Sequence, residues 1–127
     1  MGYFSKPSQK RSNLFDKIER GDYMIKKYDK LVRDKIIDII QADGKKVEYE
    51  IMDKEEHLDY LNQKLLEELD EYLESKNIEE LADLVEVVYG ILYLKSIDIE
   101  EFEDIRESKK KEKGGFERGI KLLEVEG

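Results

Sequence analysis

Residues 78–95, Ile-Glu-Glu-Leu-Ala-Asp-Leu-Val-Glu-Val-Val-Tyr-Gly-Ile-Leu-Tyr-Leu-Lys, constrain what this chain can fold into more than any other stretch. Wound as a helix, Leu81, Leu84, Val85, Val88 and Leu92 make one apolar face, and Val87, Ile91 and Leu94 make another. A helix apolar nearly all round is a buried one. Yet Glu80 and Asp83, one turn apart on the same side, begin the second of those faces. An ionised carboxylate is costly to bury unless it is paired or bound to a cation. The segment therefore needs helical neighbours to cover it and a counter-charge at its first turns.

The neighbours are announced by their start signals. Asp53 with Glu56, Asn77 with Glu80, and Asp98 with Glu101 are each spaced as a capping box, which predicts helices over about 54–75, 78–95 and 99–113. Gly114-Gly115 ends the last of them. An earlier helix is expected over about 29–42, with Leu31, Val32, Ile36, Ile39 and Ile40 on one face and Gly44 as its stop. Two stretches alternate apolar and polar residues instead, 46–52 and 119–126, and can pair as a small two-stranded ladder. The expected class is all-α, a helical bundle with that ladder as its one β element. At 127 residues the chain has room for one modest core. Residues 1–23 show no clear period and are expected to be a loosely ordered extension, with Met24 as a natural start and 24–127 as the domain. The other reading of the extension packs it on the bundle through Leu14, Phe15 and Ile18.

On the helix of residues 54–75, Leu58, Leu61, Leu65, Leu69, Tyr72 and Leu73 share the apolar stripe, which reads as core. Glu68 and Glu71 lie on the flank beside it, and Lys64 and His57 continue that flank toward the N-terminus. The turn Ser75-Lys76-Asn77 is short enough to make the next helix run antiparallel. Glu68 and Glu71 then come opposite Glu80 and Asp83. Four converging carboxylates repel one another, and a divalent cation resolves the repulsion. All-oxygen donors suit Mg²⁺, Mn²⁺ or Ca²⁺, and Mg²⁺ takes its remaining oxygens from water and phosphates. Such a site can neutralise a triphosphate and activate a water for attack on phosphorus. Blander readings stand beside this one. Glu80 can be only the capping partner of Asn77, and Glu67, Asp70 and Glu74 can be solvated surface. His57 is incidental at a helix start, and Tyr89 and Tyr93 read as core or interface residues.

Charge and composition narrow the classes. The formal net charge is −9, with an acidic block over 53–107 followed by a basic cluster over 109–121. That pattern argues against binding nucleic acid through the whole surface. There is no cysteine, so disulfides and thiolate metal sites are excluded, and a reducing compartment is compatible. No apolar run has the length of a membrane span, and the basic N-terminus lacks the apolar stretch of a signal peptide. A cytoplasmic protein, with no membrane partner, is the expectation.

The run Lys64-Leu-Leu-Glu67-Glu68-Leu-Asp-Glu71, followed by Glu80-Leu-Ala-Asp83, resembles the Glu-Glu-x-x-Glu … Glu-x-x-Asp signature of the MazG-like all-α nucleotide pyrophosphohydrolases. Lys30-Leu-Val-Arg-Asp-Lys-Ile36 and Gly114-Gly-Phe-Glu-Arg118 are similar to a branch described as house-cleaning pyrophosphatases for noncanonical nucleotides. The resemblance covers about residues 28–126. It implies a helical bundle that forms a homodimer or homotetramer, with Mg²⁺ (Mn²⁺ as a substitute) held by Glu68, Glu71, Glu80 and Asp83. It implies hydrolysis of a nucleoside triphosphate to monophosphate and pyrophosphate, with Glu67 or Glu68 orienting or deprotonating the attacking water. Lys64 is then a phosphate contact, and Lys30, Arg33, Lys109, Lys113 and Arg118 are further ones. Two alternatives remain: phosphoribosyl-ATP hydrolysis in histidine biosynthesis, which the same superfamily performs, and a non-catalytic helical interaction domain.

Overall fold

A computed structural model of the chain describes residues 25–127, so the expected extension over 1–23 lies outside the described residues. Four helices follow in order: α1 Ile36–Ala42, α2 Lys54–Ser75, α3 Ile78–Leu94 and α4 Ile99–Lys113. The chain divides into two compact units, one ending at Ile91 and one running from Leu92 to Gly127. No helix among the described residues is long and apolar enough to cross a membrane.

In the first unit, α2 and α3 form an antiparallel hairpin. Asp53 caps α2 as its spacing foretold, its Oδ1 accepting from the Glu56 N–H at 2.9 Å. The hairpin turn is tight because Lys76 adopts the left-handed region at φ 61° and donates its N–H to Tyr72 O at 2.7 Å. The Asn77 N–H is taken up by Ser75 Oγ at 3.1 Å. The two helices approach closely at Gly90, where an added Cβ would stand 3.1 Å from Leu61 Cδ2. Among the described residues, Ile36, Leu61 and Val87 are the buried apolar ones of this unit.

The buried side of α2 is not the one its apolar stripe suggests. Leu61 and Glu68 are buried, whereas Leu69 is 40% and Leu73 52% exposed, and Leu66 is 61% exposed. The helix is turned so that its acidic flank, not the centre of its leucine stripe, faces α3. In α3, Glu80 and Val87, two turns apart, are both buried, and Val85 and Ile78 on the far side are exposed. The face that Glu80 opens is thus covered, while the other apolar face of residues 78–95 is left partly exposed at Val85.

Two expectations are corrected. The first helix starts at Ile36 rather than near residue 29. Asp29 sits at φ 43°, outside the right-handed helical region, and Lys35 at the N-cap makes no side-chain capping bond. Residues 30–33 run outside any helix, and the first helical N–H, Ile36, reaches Arg33 O at 3.0 Å. The two-stranded ladder is also absent, since neither 46–52 nor 119–126 is a strand and none occurs among the described residues. Alternation makes a strand only where one face finds a covering partner, and a lone two-stranded pair is marginal in water. Here Tyr49, Ile51, Ile120, Leu122 and Val125 are all exposed.

The second unit holds the end of α3, α4 and the C-terminal segment. Helix α3 closes with paired bonds, Ile97 N–H to Leu92 O at 2.9 Å and Ser96 N–H to Tyr93 O at 3.1 Å, with Ser96 left-handed. Asp98 takes the N-cap position of α4, but its side chain makes no capping bond. Gly114, at φ 87°, ends α4 where a side chain would be strained.

Candidate metal centre

The site is built on the facing sides of α2 and α3. Glu67, Glu68 and Glu71 form one group of acids and Glu68, Glu80 and Asp83 a second, the donor oxygens in each lying within 4.8 Å of one another. Glu68 belongs to both. It is 4% exposed and Glu80 3%, while Glu67, Glu71 and Asp83 are half-buried and Asp70 and Glu74 exposed. Of the expected ligand set, Glu68, Glu80 and Asp83 come together in one group, and Glu71 meets Glu68 in the other. The capping-partner reading of Glu80 does not account for its burial among other acids.

Basic side chains reach this cluster from two directions. Lys64 Nζ, one turn before Glu67 and Glu68, donates to Glu67 Oε1 at 3.3 Å and stands 3.9 Å from Glu68 Oε2. Lys30 Nζ donates to the same Glu67 oxygen at 3.1 Å. Arg33 Nη2 donates to Asp83 Oδ1 at 2.8 Å. Lys30 and Arg33, expected on a helix as phosphate contacts, thus lie on a non-helical segment and pair with the cluster itself. The sequence offered only a weak signal for this, two cations just ahead of a strongly acidic block. Lys109, Lys113 and Arg118 belong to the second unit, where each is exposed.

The two adjacent glutamates titrate in opposite directions. Burial pushes the Glu68 carboxyl up, the charge of Glu71 adds to this, and those of Asp83 and Glu67 do so against the opposing effect of Lys64. For Glu67, partial burial also works upward, but the Lys30 hydrogen bond and the charges of Lys64 and Lys30 outweigh it and hold the carboxyl below the usual glutamate value. Glu67 is thus kept ionised and partly open to water, and Glu68 is the strained charge of the cluster.

The donor set fits a hard divalent cation. Octahedral Mg²⁺ with oxygens at about 2.1 Å places neighbouring ligands about 3 Å apart and opposite ones about 4 Å apart. Oxygens within 4.8 Å of one another are compatible with that spacing. Compared with protein-family models, with curated proteins and with solved structures, the chain matches none significantly. Its functional reading rests on the residues of the site.

Proposed function

We propose that this chain is a Mg²⁺-dependent nucleotide pyrophosphohydrolase, converting a nucleoside triphosphate, noncanonical ones included, to the monophosphate and pyrophosphate. The observation that carries the reading is the burial of Glu68 and Glu80 within one cluster of carboxylates on two facing helices. A fold that only needed a core would not place like charges there. Glu68, Glu71, Glu80 and Asp83 would hold the ion, which supplies charge neutralisation for the phosphate chain and a water of lowered pKa. Glu67, ionised and half-exposed beside the ligands, is the residue suited to take the proton of the attacking water. Glu68, as a ligand, orients it. Lys64 is held at the edge of the cluster by both glutamates and can turn to a phosphate oxygen. Lys30 and Arg33 offer further cations. A cytoplasmic setting supplies both nucleotide and Mg²⁺.

The exposed leucines of α2 support a second element of the proposal. Leu66, Leu69 and Leu73 follow one another at helical spacing, and Ile78 and Val85 of α3 are exposed as well. Such a stripe is costly in water, and a second copy of the chain covers it in a homodimer or homotetramer. The same stripe is what a non-catalytic interaction domain would present.

The deciding experiment is pyrophosphate release by the full chain, with Mg²⁺, across common and noncanonical nucleoside triphosphates and phosphoribosyl-ATP. Turnover that vanishes with chelator and in Asp83→Ala, whose helical circular dichroism stays intact, is the expected result. Release from phosphoribosyl-ATP alone would shift the assignment to histidine biosynthesis. No release from any substrate would favour the interaction domain.

A further inference from the structure

We infer that Arg33 is a built-in counter-ion of the carboxylate cluster, and that a divalent cation entering the cluster must displace it from Asp83. This rests on the metal reading above and concerns how that site is regulated. Arg33 lies fifty residues from Asp83 in sequence, and its Nη2 is 2.8 Å from Asp83 Oδ1, an atom of the same carboxylate that converges with Glu68 and Glu80. The guanidinium offsets part of the repulsion that an ion would otherwise relieve. Once a dication takes its place among those oxygens, a fixed guanidinium beside it is repelled. Escape is easy, since the Arg33 side chain is 47% and that of Asp83 22% exposed. The segment carrying Arg33 is outside any helix, which lets the side chain move without breaking backbone hydrogen bonds of a helix. Lys30, three residues earlier and paired with Glu67 at 3.1 Å, anchors the segment meanwhile. Released, the guanidinium is placed at the rim of an ion-filled site, where a bound nucleotide presents its phosphates. Arg33 therefore acts as a positioning residue that couples ion entry to phosphate capture.

The test is calorimetric titration of Mn²⁺ alone into chelator-stripped full-length protein, comparing wild type with Arg33→Gln and with Lys35→Gln. Lys35 is an exposed cation two residues away, so its variant controls for net charge. Breaking an exposed ion pair and relieving the screened repulsion predicts about three- to tenfold tighter binding for Arg33→Gln. Lys35→Gln should stay within about twofold of wild type. A second readout uses the unaltered protein: the side-chain resonance of Arg33 in ¹⁵N-arginine-labelled protein, assigned with Arg33→Lys, should move toward that of free arginine as Mg²⁺ saturates. Arg106, paired with Glu103 at 2.8 Å, should not move. Unchanged or weaker Mn²⁺ binding by Arg33→Gln, equal tightening in Lys35→Gln, or an Arg33 signal unmoved by Mg²⁺ would overturn the inference and leave the metal centre standing. No Mn²⁺ binding by any form would overturn both.

Discussion

Replacing Glu68 by glutamine should make the metal-free protein more stable, although it removes a buried carboxylate paired with Lys64. Glu68 belongs to both acidic groups, so each of four other carboxylates has an oxygen within 4.8 Å of one or other of its oxygens. At an effective dielectric of about 20, each such contact costs about 3.5 kcal/mol. Lys64, at 3.9 Å, offsets about one of them. Lys30 and Arg33 neutralise much of the effect of Glu67 and Asp83. The remainder is a net strain of about 1–3 kcal/mol once relaxation is allowed for. Its pH dependence follows from the sign of the shift. A carboxyl whose folded pKa is raised penalises the fold when ionised, so the penalty is full above that raised value. It disappears as pH falls through it toward the ordinary glutamate value of 4.5. Urea denaturation in EDTA, from pH 8 down to pH 4, should show Glu68→Gln more stable at the top of the range and level with wild type at the bottom. Saturating Mg²⁺ should stabilise wild type more than the variant, and so narrow or reverse the gap at pH 8. A Glu68→Gln protein less stable than wild type in EDTA at pH 8 would refute the account of the cluster as a strained one.

Lys64→Met removes the cation nearest Glu68 from a side chain only 12% exposed. It should cost the metal-free protein about 2–4 kcal/mol by urea denaturation, with part of the loss recovered on adding Mg²⁺. Gly90→Val places branched carbon where even a Cβ meets Leu61 at 3.1 Å. The expected loss is about 2–3 kcal/mol, read in the same assay, and an unchanged midpoint would show that the hairpin is looser there. Light scattering at micromolar concentration should give at least a dimeric mass for the full chain, and Leu69→Glu with Leu73→Glu should reduce it to that of a monomer. A monomeric wild type would remove the self-association proposal.

The helices over 54–75 and 99–113 could be read from the sequence because caps, turns and periodicity are local. Asp53 bonds to an N–H three residues on, and the short turn through Lys76 folds α3 back beside α2 whatever else the chain does. The meeting of Glu68 with Glu80 and Asp83 follows from that hairpin. Other features depended on partners distant in sequence. Lys-Leu-Val-Arg at 30–33 has the spacing of a helix face, but its cations pair with acids 37 and 50 residues away, and the backbone there is not helical. The alternation at 46–52 and 119–126 could not make strands without a surface to cover one face. The leucine stripe of α2 marks what that helix can bury. Which side it does bury, centred on Leu61 and Glu68, was decided by the packing of α3 against it. Periodicity records a residue's preference for water or core, and only the tertiary structure sets which neighbour arrives to satisfy it.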